Sequence, residues 1–197
     1  MPMPIKNHAD RWGAVSITLH WLTALMILGL VVVGFLMQEL ANSPTKIQVY
    51  GLHKSIGLTV LTLTVMRLLW RLFAGVPAPV PGMPRWQARA SRISHGALYV
   101  ILLAMPLSGW LYNSASGFPL RWFGLFALPK LSGYDAGVKA FALGAHETLF
   151  LVLAAIVTVH ALAAFKHHYY DRDRTLVRML PLMKPPAPAV RDNEPGA

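Results

Sequence analysis

The sequence contains no cysteine. That excludes disulfides, zinc–thiolate sites, iron–sulfur clusters and haem attached covalently through C-x-x-C-H. It leaves the redox compartment open, because a chain without thiols suits either environment. Charge is scarce as well. Only 13% of residues are charged, against about 25% in an ordinary soluble domain. Acidic residues are the rarest of these, with 8 Asp and Glu against 18 Lys and Arg. Hydrophobic residues make up 55%, and mean hydropathy is +0.47. Such a composition argues against a soluble globular protein and against disorder, which needs low hydrophobicity. The metalloprotease pattern H-E-x-x-H is missing too, since His146-Glu147-Thr148-Leu149-Phe150 lacks its second histidine. No internal repeat is evident, and 197 residues suit one domain.

What is present is a set of four long apolar runs, roughly residues 15–37, 49–73, 95–112 and 141–165. Each approaches the roughly 20 residues that a helix needs to cross about 30 Å of hydrocarbon. The first is too long for a signal-peptide core and is read as a retained span. The expected fold is therefore all-α: an integral membrane four-helix bundle occupying residues 1–182. Residues 38–48 read as a short polar turn, and 74–94 as a Pro-rich, then basic, connection. Residues 113–140 read as a longer loop whose Phe118–Phe123 stretch is expected at the membrane interface, where Trp and Tyr settle. Residues 183–197 are rich in proline and are expected to be a disordered tail.

The position of the charges decides what the net charge of +10 means. Spans alternate sides, so both termini and the second connection share one side. Of the 18 Lys and Arg, all but Lys46, Lys54, Arg121, Lys130 and Lys139 fall there. The positive-inside rule then places both termini in the cytoplasm. It accounts for much of the basicity without nucleic acid, which is not expected as a partner; the expected surroundings are a lipid bilayer.

The eight histidines carry the chemistry. Ionisable groups inside spans are costly and usually functional. His20 lies early in span one, near the cytoplasmic side, and His53 lies early in span two, near the outer side. Span four carries His146 near the outer side and His160 14 residues deeper, about 21 Å along the helix and on nearly the same face. The depths match in pairs: His20 with His160, and His53 with His146. Each pair can present two imidazoles to opposite sides of a flat metal macrocycle filling the bundle core, the axial set of a haem. Without a thioether the haem would be b-type. The competing readings are core histidines hydrogen-bonded between helices and proton relays of a transporter without a cofactor. Two histidines alone make a poor zinc site.

Several other residues fit buried macrocycles. Gly29, Gly34, Gly57 and Gly144 remove bulk where a ring would enter, although small-residue helix packing explains them equally well. Arg67 shares the face of His53 but reaches the depth of the inner pair, and Arg71 follows one turn on. Both are candidates for haem propionates, or else interfacial arginines reaching for water. His95 and His167 are candidates to meet beside the inner pair, where neutral imidazoles can hydrogen-bond quinone carbonyls and relay protons, or else are solvated interfacial histidines. His95 is also an alternative to His20 as a ligand. His8 and His168 are expected to be solvated.

Taken in order, these segments resemble the bacterial cytochrome b561 family of dihaem four-helix membrane proteins. The resemblance rests on Ile17-Thr18-Leu19-His20-Trp21, Gly51-Leu52-His53-Lys54-Ser55-Ile56-Gly57, Arg67-Leu68-Leu69-Trp70-Arg71 and Ser94-His95-Gly96-Ala97-Leu98-Tyr99. Further along, it rests on Met105-Pro106-Leu107-Ser108-Gly109, His146-Glu147-Thr148-Leu149, and the stretch from Val159-His160 to Tyr170. It covers about residues 10–182. It implies a protein of the bacterial inner membrane with two non-covalent haem b groups on His20, His53, His146 and His160. It also implies electron exchange with the quinone pool, ubiquinone being the acceptor. A superoxide:ubiquinone oxidoreductase is one function found in similar proteins, so superoxide is one candidate donor at the outer face and a redox protein another. Related dihaem subunits instead anchor a hydrogenase or dehydrogenase and relay its electrons.

Overall fold

The computed structural model describes residues 4–180 and 183 of the chain. Four helices dominate: α1 (Ala14–Glu39), α2 (Pro44–Ala74), α3 (Arg85–Ala115) and α4 (Ala136–Tyr169). All four are long and apolar enough to cross a membrane. They run to 26, 31, 31 and 34 residues, so each exceeds the hydrocarbon thickness. A short antiparallel hairpin of β1 (Leu120–Trp122) and β2 (Phe126–Leu128) sits between α3 and α4, with Arg121 opposite Ala127.

The helices extend past the apolar runs, and their caps explain where they stop. Pro44 lies inside α2, in its first turn, where its missing N–H costs nothing, and the Ser43 hydroxyl accepts from the Lys46 N–H. The Asp135 carboxylate accepts from the Val138 N–H at 2.9 Å and starts α4. Helix α3 begins at Arg85, ten residues before the apolar run, because hydropathy marks only the lipid-facing part of a helix. At the head of α1 the Asn7 side-chain oxygen Oδ1 accepts from both the Gly13 N–H and the Ser16 hydroxyl. The chain folds back so tightly there that a Cβ on Gly13 would collide with the backbone of Ile5 and Lys6.

Inside the spans, hydroxyls bond to their own helix. Thr23, Ser55, Thr59, Thr62, Thr64 and Thr158 each donate to the carbonyl four residues back. Polar groups in hydrocarbon need such partners.

Packing runs α1 on α2, α2 on α3 and α3 on α4, whereas no Cα of α1 comes within 8 Å of one in α4. The α1 and α4 backbones therefore stand apart along an open seam that only side chains bridge, as where the Phe35 and Phe150 rings lie 6.0 Å apart. Val60, Ile101, Leu102 and Leu153 form a buried core, joined by Met26, Ile27, Leu30, Leu149 and Ile156. Leu153 is seven residues from both His146 and His160, so this aliphatic layer lies about 10 Å from each histidine level. Large apolar side chains such as Leu25, Val32, Leu69, Val100 and Leu151 cover the outside, as a lipid-facing surface requires.

The end where the described residues begin and finish is strapped together. Trp21 Nε1 donates to the Met179 carbonyl at 2.7 Å, and Arg178 donates to the Ala78 carbonyl at 2.7 Å. Asn7 donates to the Gly75 carbonyl at 2.8 Å. At the opposite end the hairpin folds back on α2: Trp122 Nε1 donates to Thr59 Oγ1 and the Phe123 N–H to Ser55 Oγ. The Phe118–Phe123 stretch, expected at the membrane interface, thus includes a strand that reaches a full turn below the level of His53. The tail expected from residue 183 lies, apart from Met183, outside the described residues.

Candidate functional site: two histidine pairs

Helix α4 brings His146 and His160 to opposite depths of the open seam. His146 faces His53 of α2, with ring centres 6.3 Å apart. His160 faces His20 of α1, with ring centres 6.4 Å apart. The two distances agree although the pairs lie on different helices. A metal–imidazole bond is about 2.0 Å and a ring centre lies about 1.1 Å behind its nitrogen, so two imidazoles on opposite sides of one metal stand about 6.2 Å apart. Both pairs stand close to that separation. His20 Nδ1 and His53 Nδ1 are buried without a hydrogen-bond partner.

The His53–His146 pair borders a cavity of about 260 Å³ lined by Leu30, Gly34, Gly57, Val60, Met105 and Phe150 among others. Its walls are almost wholly apolar, as a macrocycle's faces need. A Cβ on Gly34 would stand 3.6 Å from the His53 ring, and one on Gly109 would stand 3.3 Å from that of His146. Gly34 and Gly109 therefore sit where bulk would crowd the two rings, whereas Gly57 lines the cavity but a Cβ there would meet nothing within 4 Å. Gly29 and Gly144 face open space.

At the other level a third ring joins the pair. His95 lies 5.5 Å from His160. That is closer than two axial ligands of one metal stand, so the spacing sets His20 apart from His95 as the counterpart of His160. Arg67 and Arg71 both lie over the Tyr99 ring, at 5.6 and 5.8 Å. With Trp12, Ser16, Tyr99 and Met179 they line a small pocket. Ser16 is one turn from His20 and Tyr99 one turn from His95, so two guanidiniums converge beside the three imidazoles.

His167 takes other partners. Its Nδ1 is 2.7 Å from Asp173 Oδ2 and 3.1 Å from Asp171 Oδ2. Lys166 also holds Asp171 at 2.7 Å, so His167, Asp171 and Asp173 form an ion-paired cluster just past α4. His168, expected to be solvated, is instead buried at 8% exposure with its Nδ1 unpartnered. The strap of residues 174–180 over this end of the bundle was not visible in local sequence. His8 is exposed, as expected.

Sequence reasoning about geometry passed over the α3 residues around His146. Its Nδ1 lies 3.0 Å from the Met105 carbonyl and 3.1 Å from Ser108 Oγ. The available signal was Pro106, a proline inside an apolar helical run.

A four-helix membrane protein with paired imidazoles at two depths of an open seam belongs among the membrane cytochromes. The comparisons specify which. The prokaryotic cytochrome b561 family model matches residues 11–182, and the chain belongs to that family. It is 36% identical over 186 residues to cytochrome b561 homolog 2 of Escherichia coli (strain K12), covering 90% of this chain and 95% of that one. Cytochrome b561 homolog 1 of the same strain is 31% identical over 180 residues, covering 89% and 99%. A probable superoxide oxidase CybB of Yersinia pestis is 28% identical over 174 residues, covering 87% and 96%. Membership makes the chain a multi-pass electron-transfer protein of the bacterial inner membrane, with haem b as its cofactor.

Proposed function

We propose that this chain carries electrons between a donor at the outer face and the quinone pool through two haem b groups. His20 and His160 hold one, and His53 and His146 hold the other. The observation that carries this reading is the shared 6.3–6.4 Å separation of the two pairs. The open α1–α4 seam and the unpartnered Nδ1 atoms of His20 and His53 support it. When bound, haem b supplies a one-electron iron couple. Arg67 and Arg71 are placed to pair with propionates at the inner level. The excess of Lys and Arg at the terminal end supports a cytoplasmic position for both termini.

Superoxide is the donor favoured here, on the name of the Yersinia pestis relative. Two superoxide ions would leave as two molecules of dioxygen, and their two electrons with two protons would convert a quinone to its quinol. His95, beside His160 at the terminal end, is placed to hydrogen-bond that quinone and hand on a proton, with His167 as a second candidate nearer the surface. Lys130 and Lys139 contribute positive charge at the outer end, which attracts an anionic donor. Purified protein with a ubiquinone analogue, given superoxide, is the test. Haem reduction faster than spontaneous dismutation is expected, and reduction no faster than background would sink the donor. Co-purification of a stoichiometric redox subunit would instead favour the role of an anchor.

A further inference from the structure

One of the four paired histidines is held differently from its counterparts. His146 Nδ1 lies 3.0 Å from the Met105 carbonyl and 3.1 Å from Ser108 Oγ. The Ser108 hydroxyl donates its own proton to the Met105 carbonyl at 2.7 Å. Its oxygen is then left as an acceptor, and the carbonyl accepts only. Both partners therefore require Nδ1 to carry the proton, which leaves Nε2 unprotonated and free to bind a metal. His20 and His53, by contrast, have buried Nδ1 atoms with no partner.

The fold places this clamp on purpose-built backbone. Pro106 lies inside α3 and, having no N–H, cannot donate to the Leu102 carbonyl at this level. Gly109 lets the imidazole lie against the helix, since a Cβ there would stand 3.3 Å from Cε1 and 3.4 Å from Nδ1. Met105, Ser108 and Gly109 thus lie on one turn and a half of α3, all against the same ring.

We propose that Ser108 and the Met105 carbonyl are positioning groups that fix the Nδ1–H tautomer of His146 and make it the more electron-donating ligand, holding the outer haem at a lower potential than it would otherwise have. A hydrogen bond donated from Nδ1 raises the basicity of the ligating nitrogen and stabilises the oxidised metal. At the inner level the convergent Arg67 and Arg71 act in the opposite sense, because positive charge favours the reduced metal. The two effects bias electron transfer in the same direction, from the His53–His146 level to the His20–His160 level. The inference rests on the ligand assignment above and adds residues that play no part in it.

The test uses the haem-loaded protein and its Ser108→Ala, Ser108→Thr and His146→Ala variants, read by redox titration and by electron paramagnetic resonance of the oxidised low-spin haems. His146→Ala identifies the outer haem by its loss. Ser108→Ala is expected to move that haem's midpoint to a more positive value, by up to about tenfold in its reduction constant, or about 59 mV for one electron. Its low-spin signal should shift while the other haem's stays in place. Ser108→Thr keeps the hydroxyl and is expected to restore both. Unchanged potentials in Ser108→Ala, a shift confined to the haem that His146→Ala retains, or an equal shift in Ser108→Thr would each overturn the proposal. If Ser108→Ala does not hold its outer haem, Gly109→Ala, which leaves both acceptors but pushes the ring off them, is expected to raise the same potential; no movement overturns the proposal. Two haems surviving in His146→Ala would instead defeat the ligand assignment itself.

Discussion

Four of the eight histidines stand in two pairs of nearly equal separation, the same pairs that depth along the spans matched. The 14-residue interval from His146 to His160 is a helical period, so any straight helix aligns those two rings. Their counterparts on α1 and α2 followed from depth alone. His95 could not be separated from His20 by the same reasoning, because depth has no lateral resolution; the distances of 5.5 and 6.4 Å to His160 make that distinction. His168 was misjudged because burial at a helix end depends on what folds over it. At this scale two outcomes are expected. His160→Ala should cost one haem and His146→Ala the other, each halving the haem-to-protein ratio; a full complement in either variant contradicts the ligand assignment. Arg67→Met removes a positive charge beside the inner pair and should make the potential of the haem lost in His160→Ala more negative in a redox titration, while the outer haem is unaffected.

The helices were visible as elements and the hairpin was not. Hydropathy reports a helix in lipid with little ambiguity, since each span must satisfy its own backbone. Its true ends depend on Ser43, Asp135 and Asn7, whose caps lie outside the apolar runs. Strands of three residues carry no periodicity to detect. The hairpin exists because Ser55 and Thr59, on a face of α2 away from His53, offer hydroxyls to Phe123 and Trp122. Trp122→Phe removes the bond to Thr59 and should lower stability by about 0.6 kcal/mol, the usual worth of an interhelical polar contact in lipid. A small fall in apparent Tm with both haems retained is the expected result; unchanged Tm would mean the hairpin is held by packing alone.

Across the whole molecule, charge and shape divide the two ends. Positive side chains crowd the end where the described residues begin and finish, and the strap through Trp21, Arg178 and Asn7 closes it. The absence of native cysteine makes orientation easy to read. Lys130→Cys should react with a membrane-impermeant maleimide in intact spheroplasts, whereas Arg89→Cys should react only after the membrane is opened. The reverse pattern would invert the proposed topology.

Composition and order along the chain were enough to determine that this protein crosses the membrane four times, to match its histidines by depth and to bring out its likeness to the cytochrome b561 family. Those properties depend on helical period and on the cost of polar groups in hydrocarbon, both of which act locally. The separation of the α1 and α4 backbones, the approach of His95 to within 5.5 Å of His160, and the grip of Met105 and Ser108 on His146 were decided only in three dimensions. Each depends on how far one helix stands from another, and no single segment of sequence encodes that distance.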